Sequence, residues 1–351
     1  MAIDYAVFAK DIKRWGRELG FAQVGIAAGE LVQAEIHLNR WLAAGFHGQM
    51  HYMARHGNKR ARPAELVPGT QRIICVRMDY LPEPMARAQH ISSDPAQAFI
   101  SRYALGRDYH KVLRGRLKQL VARMEQQIGC FSHRLFVDSA PVMEKPLAEQ
   151  AGLGWIGKHS NLLSREAGSW FFLGEIYVDQ PLPVDSSSRK HCGTCQACIE
   201  SCPTAAIVAP YVLDARRCIA YLTVELAGSI PEDLRPLLGN RIFGCDDCQR
   251  VCPWNRRATL TTETDFQPRH GLDCATLVEL FAWDEDTFRQ RTQGTAIHRL
   301  GHERWLRNIS VALGNAAPSA AIHAALSSRL THPSPLVREH VAWALTRLRG
   351  R

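Results

Sequence analysis

The chain has 351 residues, enough for two or three domains with cores of their own. Hydrophobic residues make up 46% and charged residues 22%, which excludes a disordered chain. No run of about 18 apolar residues occurs, which excludes a membrane-spanning helix. The net charge of +9 favours an anionic partner, nucleic acid first, although overall charge speaks to association and not to fold.

Taken in chain order, Met1–Lys10 lacks a basic segment, an apolar stretch and a small-residue cleavage site, and reads as the start of an amphipathic helix. A cytoplasmic location is the expectation. Periodicity predicts helices over Asp11–Leu19 and Leu31–Ala44, and short strands over Arg72–Met78, Arg134–Val137 and Trp170–Val178. Tyr109–Gln127 reads as a basic amphipathic helix. Residues 1–180 form a mixed α/β domain on this reading. The polar, proline-bearing stretch 181–190 opens a cysteine-rich module that extends to about residue 260. Residues 261–351 turn helical at Trp305–Asn315, Ala320–Thr331 and Leu336–Arg349. Ile309–Leu313 and Val341–Leu345 recur 32 residues apart, as in a pair of HEAT-like repeats, with a plain helical tail as the alternative. Basic residues gather in His56–Arg62, Arg102–Lys118 and Arg299–Arg307. Together these tracts point to a polyanion, and singly each fits a solvated face.

Eight of the eleven cysteines fall between Cys192 and Cys252. In a reducing compartment they are metal ligands rather than disulfides. Cys192, Cys195, Cys198, Cys202 and Pro203 match C-x2-C-x2-C-x3-C-P, in which the fourth cysteine reaches the neighbouring cluster. Zinc is the weaker alternative, because it favours two separated cysteine pairs. The second run, Cys245, Cys248, Cys252 and Pro253, lacks a leading cysteine that Cys218 must supply. The crossover rule then puts Cys192, Cys195, Cys198 and Cys252 on one 4Fe-4S cluster, and Cys202, Cys218, Cys245 and Cys248 on the other. Cys75, Cys130 and Cys274 remain, expected as small buried hydrophobes. A two-cluster ferredoxin needs little more than this window, so the rest of the chain binds something else, and an enzyme is the better reading.

Asp138 closes an apolar strand in Val137-Asp138-Ser139-Ala140-Pro141, and could equally cap a helix. Glu144 and Lys145 read as a surface pair. The glycines of Ala151–Asn161 can admit a close ligand or simply turn the chain. Asp108 and His110 approach the D-x-H-x-x-G pattern of corrinoid proteins that supply a histidine to cobalt, but position 113 is Leu, which argues against His110 as a metal ligand.

Several of these segments together resemble epoxyqueuosine reductase, the last enzyme in making the tRNA base queuosine. They are Lys59-Arg60-Ala61-Arg62-Pro63, Leu66–Gly69, Gly106–His110, Val137–Pro141, Ala151–Lys158 and Gly239–Cys248, besides the Cys218 offset. The resemblance implies an N-terminal cobalamin domain similar to that of reductive dehalogenases, a ferredoxin-like module and a HEAT-like tail. It implies cobalamin and two 4Fe-4S clusters as cofactors, tRNA as substrate, a low-potential electron donor and a monomer. Asp138 would be the proton donor to the epoxide oxygen, worth about 10²–10⁴-fold, with a raised pKa if buried against the corrin. Arg60, Arg102, Gly157, Lys158 and His159 fall where that family contacts cobalamin. The basic tracts would hold tRNA in a salt-sensitive manner. The rivals are a corrinoid dehalogenase, a non-catalytic electron carrier, and a tRNA-binding protein with structural clusters.

Overall fold

A computed structural model describes residues 3–350. Asp4 accepts from the Ala6 and Val7 N–H groups to start α1 (Tyr5–Glu18), which buries Phe8, Ala9 and Ile12 along one face. The expected amphipathic start thus lies in α1, with Met1 and Ala2 outside the described residues. There follow β1 (Gln23–Ala27), α2 (Val32–Ala43), α3 (Pro63–Leu66), β2 (Arg72–Asp79), α4 (Met85–Ser93) and β3 (Phe99–Ile100). Asp108 caps α5 (Tyr109–Ile128), which stops at Gly129, where φ is +81°. The first half ends with β4 (His133–Phe136), α6 (Glu144–Gln150), β5 (Trp155–Ile156), β6 (Leu162–Leu163) and β7 (Phe171–Val178).

β1, β2, β7 and β4 form a four-stranded antiparallel sheet in that order. Both faces are covered, so β2 and β7 are buried along most of their length. Ile74, Val76 and Ile176 share one core with Phe8 of α1 and with Leu113 and Leu117 of α5. Ile73, Cys75 and Tyr177 share another with Leu147 and Ala148 of α6. Glu175 stands in the middle of this sheet, paired with Cys75 on one side and Phe136 on the other.

The cysteine module holds α7 (Ala197–Glu200), β8 (Ile207–Ala209), β9 (Val212–Leu213), β10 (Arg241–Phe243) and α8 (Asp247–Arg250). β10 pairs in parallel with β3, which ties the module to the first half. Then come α9 (Leu277–Phe281), α10 (Glu285–Thr292), α11 (His302–Asn315), α12 (Ala320–Ser327) and α13 (Pro335–Arg349). α12 ends earlier than periodicity predicts. Beyond it the Ser328 hydroxyl donates to Ala325 O at 2.7 Å, a local bond that competes with the helix ladder. One apolar core runs from Phe8 to Leu348, so the C-terminal helices are packed onto the N-terminal α/β layer. Among the described residues no helix is long and apolar enough to cross a membrane.

The third basic tract is not a solvated face. Arg307 is fully buried in α11, donating to Leu226 O and Gly228 O at 2.7 Å and to Leu222 O at 2.8 Å. Arg304 donates to Leu300 O, Val224 O and Arg299 O. These cations satisfy carbonyls that would otherwise be buried without donors.

Candidate active site

The eight clustered cysteines converge around α7 and α8. Cys252 lies within electrostatic range of Cys192, Cys198 and Cys195, and Cys198 within range of Cys192 and Cys195. Cys248 is in range of Cys218 and Cys202, Cys218 of Cys202, and Cys245 of Cys248. The last thiol of each run therefore reaches across to the other run. Among the described residues no three His, Cys, Asp or Glu side chains close on a single-ion site. Two sets of four thiols gathered in this way suit two cubanes, each held at its corners. Ala206 N–H already donates to Cys202 Sγ at 3.2 Å. Cys195 is exposed, so the first set faces solvent, while Cys248 and Cys218 of the second lie near Lys145. Of the isolated cysteines only Cys75 is buried. Cys130 and Cys274 are exposed, which corrects the reading of all three as buried hydrophobes.

Asp138 follows β4 in a tight succession of turns. Ser139 N–H donates to Val137 O at 2.6 Å, Ala140 N–H to Asp138 O at 2.7 Å, and Val142 N–H to Ala140 O at 2.8 Å. Asp138 itself has φ +49°, a conformation that costs a non-glycine residue about 1–3 kcal/mol and needs support from its surroundings. Tyr109 and His110, at the start of α5, supply some. The Tyr109 hydroxyl donates to Asp138 Oδ2, and His110 Nε2 lies 3.2 Å from the same oxygen. The Tyr109 ring is fixed by stacking on Phe172, with centroids 4.1 Å apart and planes 4° from parallel. Asp138 N–H donates to Glu144 Oε1 at 2.5 Å. The Asp138 side chain is 54% exposed although protein surrounds it, as expected on the floor of a cleft. Lys145 shares that floor, donating to Ser160 O at 2.9 Å. Glu144 is held beneath the loop, so the expected surface pair is instead part of the site.

The raised pKa expected of Asp138 depended on burial against a corrin, and the protein's own groups act the other way. Burial pushes its carboxyl up, but hydrogen bonds from His110 and Tyr109, with the charges of His110 and Arg299, outweigh it and hold it below the ordinary value. His110 moves the opposite way. Burial lowers it, yet Asp108 and Asp138 raise it above the usual imidazole value. Burial, aided by the Asp138 charge, pushes Glu144 up to about 8. Glu225, in a π-helical turn at Tyr221–Glu225, is raised by burial and by Asp138.

The expected cofactor contacts divide. Arg102 is buried and committed elsewhere. It pairs with Glu83 at 2.5 Å, donates to Ile100 O and lies over the Phe99 ring, so its guanidinium has an internal task. Lys158 donates to Gly193 O at 2.7 Å and Cys195 O at 2.9 Å, strapping the outer cysteine loop. A Cβ on Gly157 would stand 2.7 Å from Leu163 Cδ1 and 3.0 Å from His159 Cε1, so those two side chains would have to shift to admit one. His159 and Arg60 are different. His159 Nε2 and Arg60 Nε are buried without a protein partner. Burial and the Lys145 charge lower His159 to about 4, leaving it neutral. Unpartnered buried polar atoms beside an open cleft fit a large polar ligand.

Glu225 and Glu175 carry no sequence signal; Tyr109 and His110 enter the sequence reading through the Gly106–His110 resemblance, and Arg299 only through a basic tract. Arg299 Nη2 lies 3.3 Å from His110 Nδ1, 189 residues away in the chain. The Asp108–His110 spacing marks a hydrogen-bond relay.

The family described as epoxyqueuosine reductase QueG, DUF1730, matches residues 60–139, and the 4Fe-4S double cluster binding domain matches residues 191–255. Epoxyqueuosine reductase of Pseudomonas aeruginosa is 61% identical over 345 residues, covering 98% of this chain and 95% of its own length. A crystal structure of epoxyqueuosine reductase with an epoxyqueuosine-modified tRNA-Tyr stem loop superposes with a TM-score of 0.87 at 25% identity, covering 97% of this chain and 90% of that one. The Bacillus subtilis enzyme, solved with its catalytic aspartate loop swung out of the active site, gives 0.85 at 25% identity with the same coverage. A similarity that spans both the Asp138 segment and the cysteine module at such identity settles the kinship: the chain belongs to the epoxyqueuosine reductase family.

Proposed function

We propose that this chain reduces epoxyqueuosine in the anticodon loop of tRNA to queuosine, and that Asp138 and His110 together manage the proton its epoxide oxygen takes up. The observation that carries this is the Asp138 carboxyl, solvent-reached on a cleft floor, with the Tyr109 hydroxyl and His110 Nε2 converging on one of its oxygens. Removing an epoxide oxygen as water breaks two C–O bonds, forms a C=C bond and consumes two electrons and two protons, the first from the Asp138–His110 pair and the second from solvent. His110 Nδ1 lies 2.7 Å from Asp108 Oδ1, so it donates there, and the next proton sits either on His110 Nε2 or on Asp138. Passing that proton to the substrate through Asp138 leaves neutral His110 still oriented by Asp108.

Cys192, Cys195, Cys198 and Cys252 would hold the outer 4Fe-4S cluster, and Cys202, Cys218, Cys245 and Cys248 the inner one beside Lys145. Clusters held there would take electrons from a low-potential donor at the exposed Cys195 side and supply them on the side of the Lys145 and Asp138 cleft. Arg60 and His159, with Lys158 at the rim, would hold cobalamin in that cleft. A bound corrinoid supplies the low-valent cobalt chemistry that reductive deoxygenation needs. The exposed Lys59, Lys111, Arg114 and Lys118 would meet tRNA phosphates, and the modified base must leave its stack to reach the cleft. We take the chain to act as a cytoplasmic monomer, with α11 to α13 as a HEAT-like pair.

The test is anaerobic turnover of epoxyqueuosine-containing tRNA by cluster-reconstituted protein, with and without cobalamin, for the native chain and for Asp138→Asn. Cobalamin-dependent conversion that falls at least about 10²-fold in Asp138→Asn, with iron content unchanged, is expected. Full turnover by the variant would overturn the role given to Asp138.

A further inference from the structure

Glu175 is 0% exposed on the central strand β7, and neither carboxyl oxygen has an N–H or O–H donor in reach. Its face of the sheet is covered by Leu147 and Ala148 of α6. The polar group it meets is the Glu144 carboxyl at the start of α6. Two carboxylates have only lone pairs to offer each other, and they join only when one carries a proton. Glu144 in turn accepts the Asp138 N–H at 2.5 Å, at the residue whose φ of +49° needs holding.

We propose that Glu144 and Glu175, sharing one proton, are positioning residues that seat the Asp138 loop: Glu175 anchors Glu144 to the sheet, and Glu144 fixes the Asp138 backbone so that its carboxyl stays between Tyr109 and His110. Glu144 is raised to about 8 by burial and by Asp138, against the lowering effect of Lys145 and His110. Glu175 is raised by burial and by Glu144 and Asp138. Cys75, Tyr177 and Tyr109 also face the pair, and none offers it a cation. The sign follows. Both carboxyls are displaced upward, so at neutral pH the pair keeps a proton and the seat holds; as alkaline pH strips it, two facing carboxylates repel and the loop is released. The seat matters to turnover only if Asp138 handles the proton as proposed above.

Hydrogen exchange of residues 137–143, read by mass spectrometry on the cluster- and cobalamin-loaded full chain, tests the seat without reference to activity. After correction for the intrinsic rate, the native segment should lose at least about tenfold in protection between about pH 7 and about pH 9.5. Glu175→Gln keeps the shape and gives Glu144 a permanent amide donor. It should keep that protection at both pH values, and keep turnover within about threefold of native at pH 7. Glu144→Ala should lose protection at both. Native protection that ignores pH, or a Glu175→Gln variant that loses protection as the native chain does, would overturn the proposal. An inactive-site result for Asp138 alone, with the exchange pattern as expected, would fault the proton assignment and leave the seat standing.

Discussion

His110 and Asp138 face each other, with Nε2 of the first 3.2 Å from Oδ2 of the second, while His110 Nδ1 is engaged by Asp108 at 2.7 Å. Strongly coupled groups titrate as a unit, and the opposite displacements of their pKa values describe the charge-separated form of that unit.

The pH dependence of kcat/KM should report this pair. Asp138 is depressed, so a second proton binds only as pH falls below the ordinary carboxylate value of about 3.9. His110 is raised, so the working proton is lost only as pH rises above the ordinary imidazole value of about 6.5. A plateau bracketing both values is expected, with any alkaline limb from the Glu144–Glu175 seat removed by Glu175→Gln. His110→Asn should lose about 10²-fold in kcat/KM. An alkaline limb centred at or below the free imidazole value would contradict the assignment.

Tyr109→Phe removes one donor to Asp138 while keeping the stack on Phe172. A hydrogen bond to a charged group is worth about 1.5–3 kcal/mol, so kcat should fall by about tenfold or more and the acid limb should move up in pH. Thermal stability should change little. An unmoved acid limb would show that Tyr109 does not hold the ionised carboxyl.

Cluster content separates the cysteines. Cys218→Ser should cost the inner cluster, leaving about half the iron and sulfide per chain. Cys130→Ser and Cys274→Ser, at exposed positions outside the module, should leave both contents unchanged. Full iron in Cys218→Ser would mean that another residue closes the second set.

Arg307→Met and Arg102→Met should act on folding rather than on ligand affinity. The first leaves carbonyls of Leu222, Leu226 and Gly228 without donors, and the second strips Glu83, at 10% side-chain exposure, of its buried partner and leaves it only Arg87 at 2.9 Å. Losses of about 3 kcal/mol are expected from each, seen as a lower denaturation midpoint. If Arg102→Met instead kept native stability and lost cobalamin, the internal task assigned to Arg102 would be wrong.

The principal helices were legible from periodicity because each shows one apolar face, as Phe8 and Ile12 do in α1 and Leu113, Leu117 and Leu120 in α5. β1 was not, since Gln23-Val24-Gly25-Ile26-Ala27 lacks the β-branched density that marks a strand and is held by its pairing with β2.

Sequence alone determined the cysteine arithmetic, the family resemblance and Asp138 as a residue of interest, because thiol spacing and short motifs are local properties. The state of Asp138, the seat made by Glu144 and Glu175, and the removal of Arg102 and Arg307 from the exposed basic surface were decided only by the tertiary structure. Burial and the distance between charges set which groups ionise, and those distances join residues as far apart as His110 and Arg299.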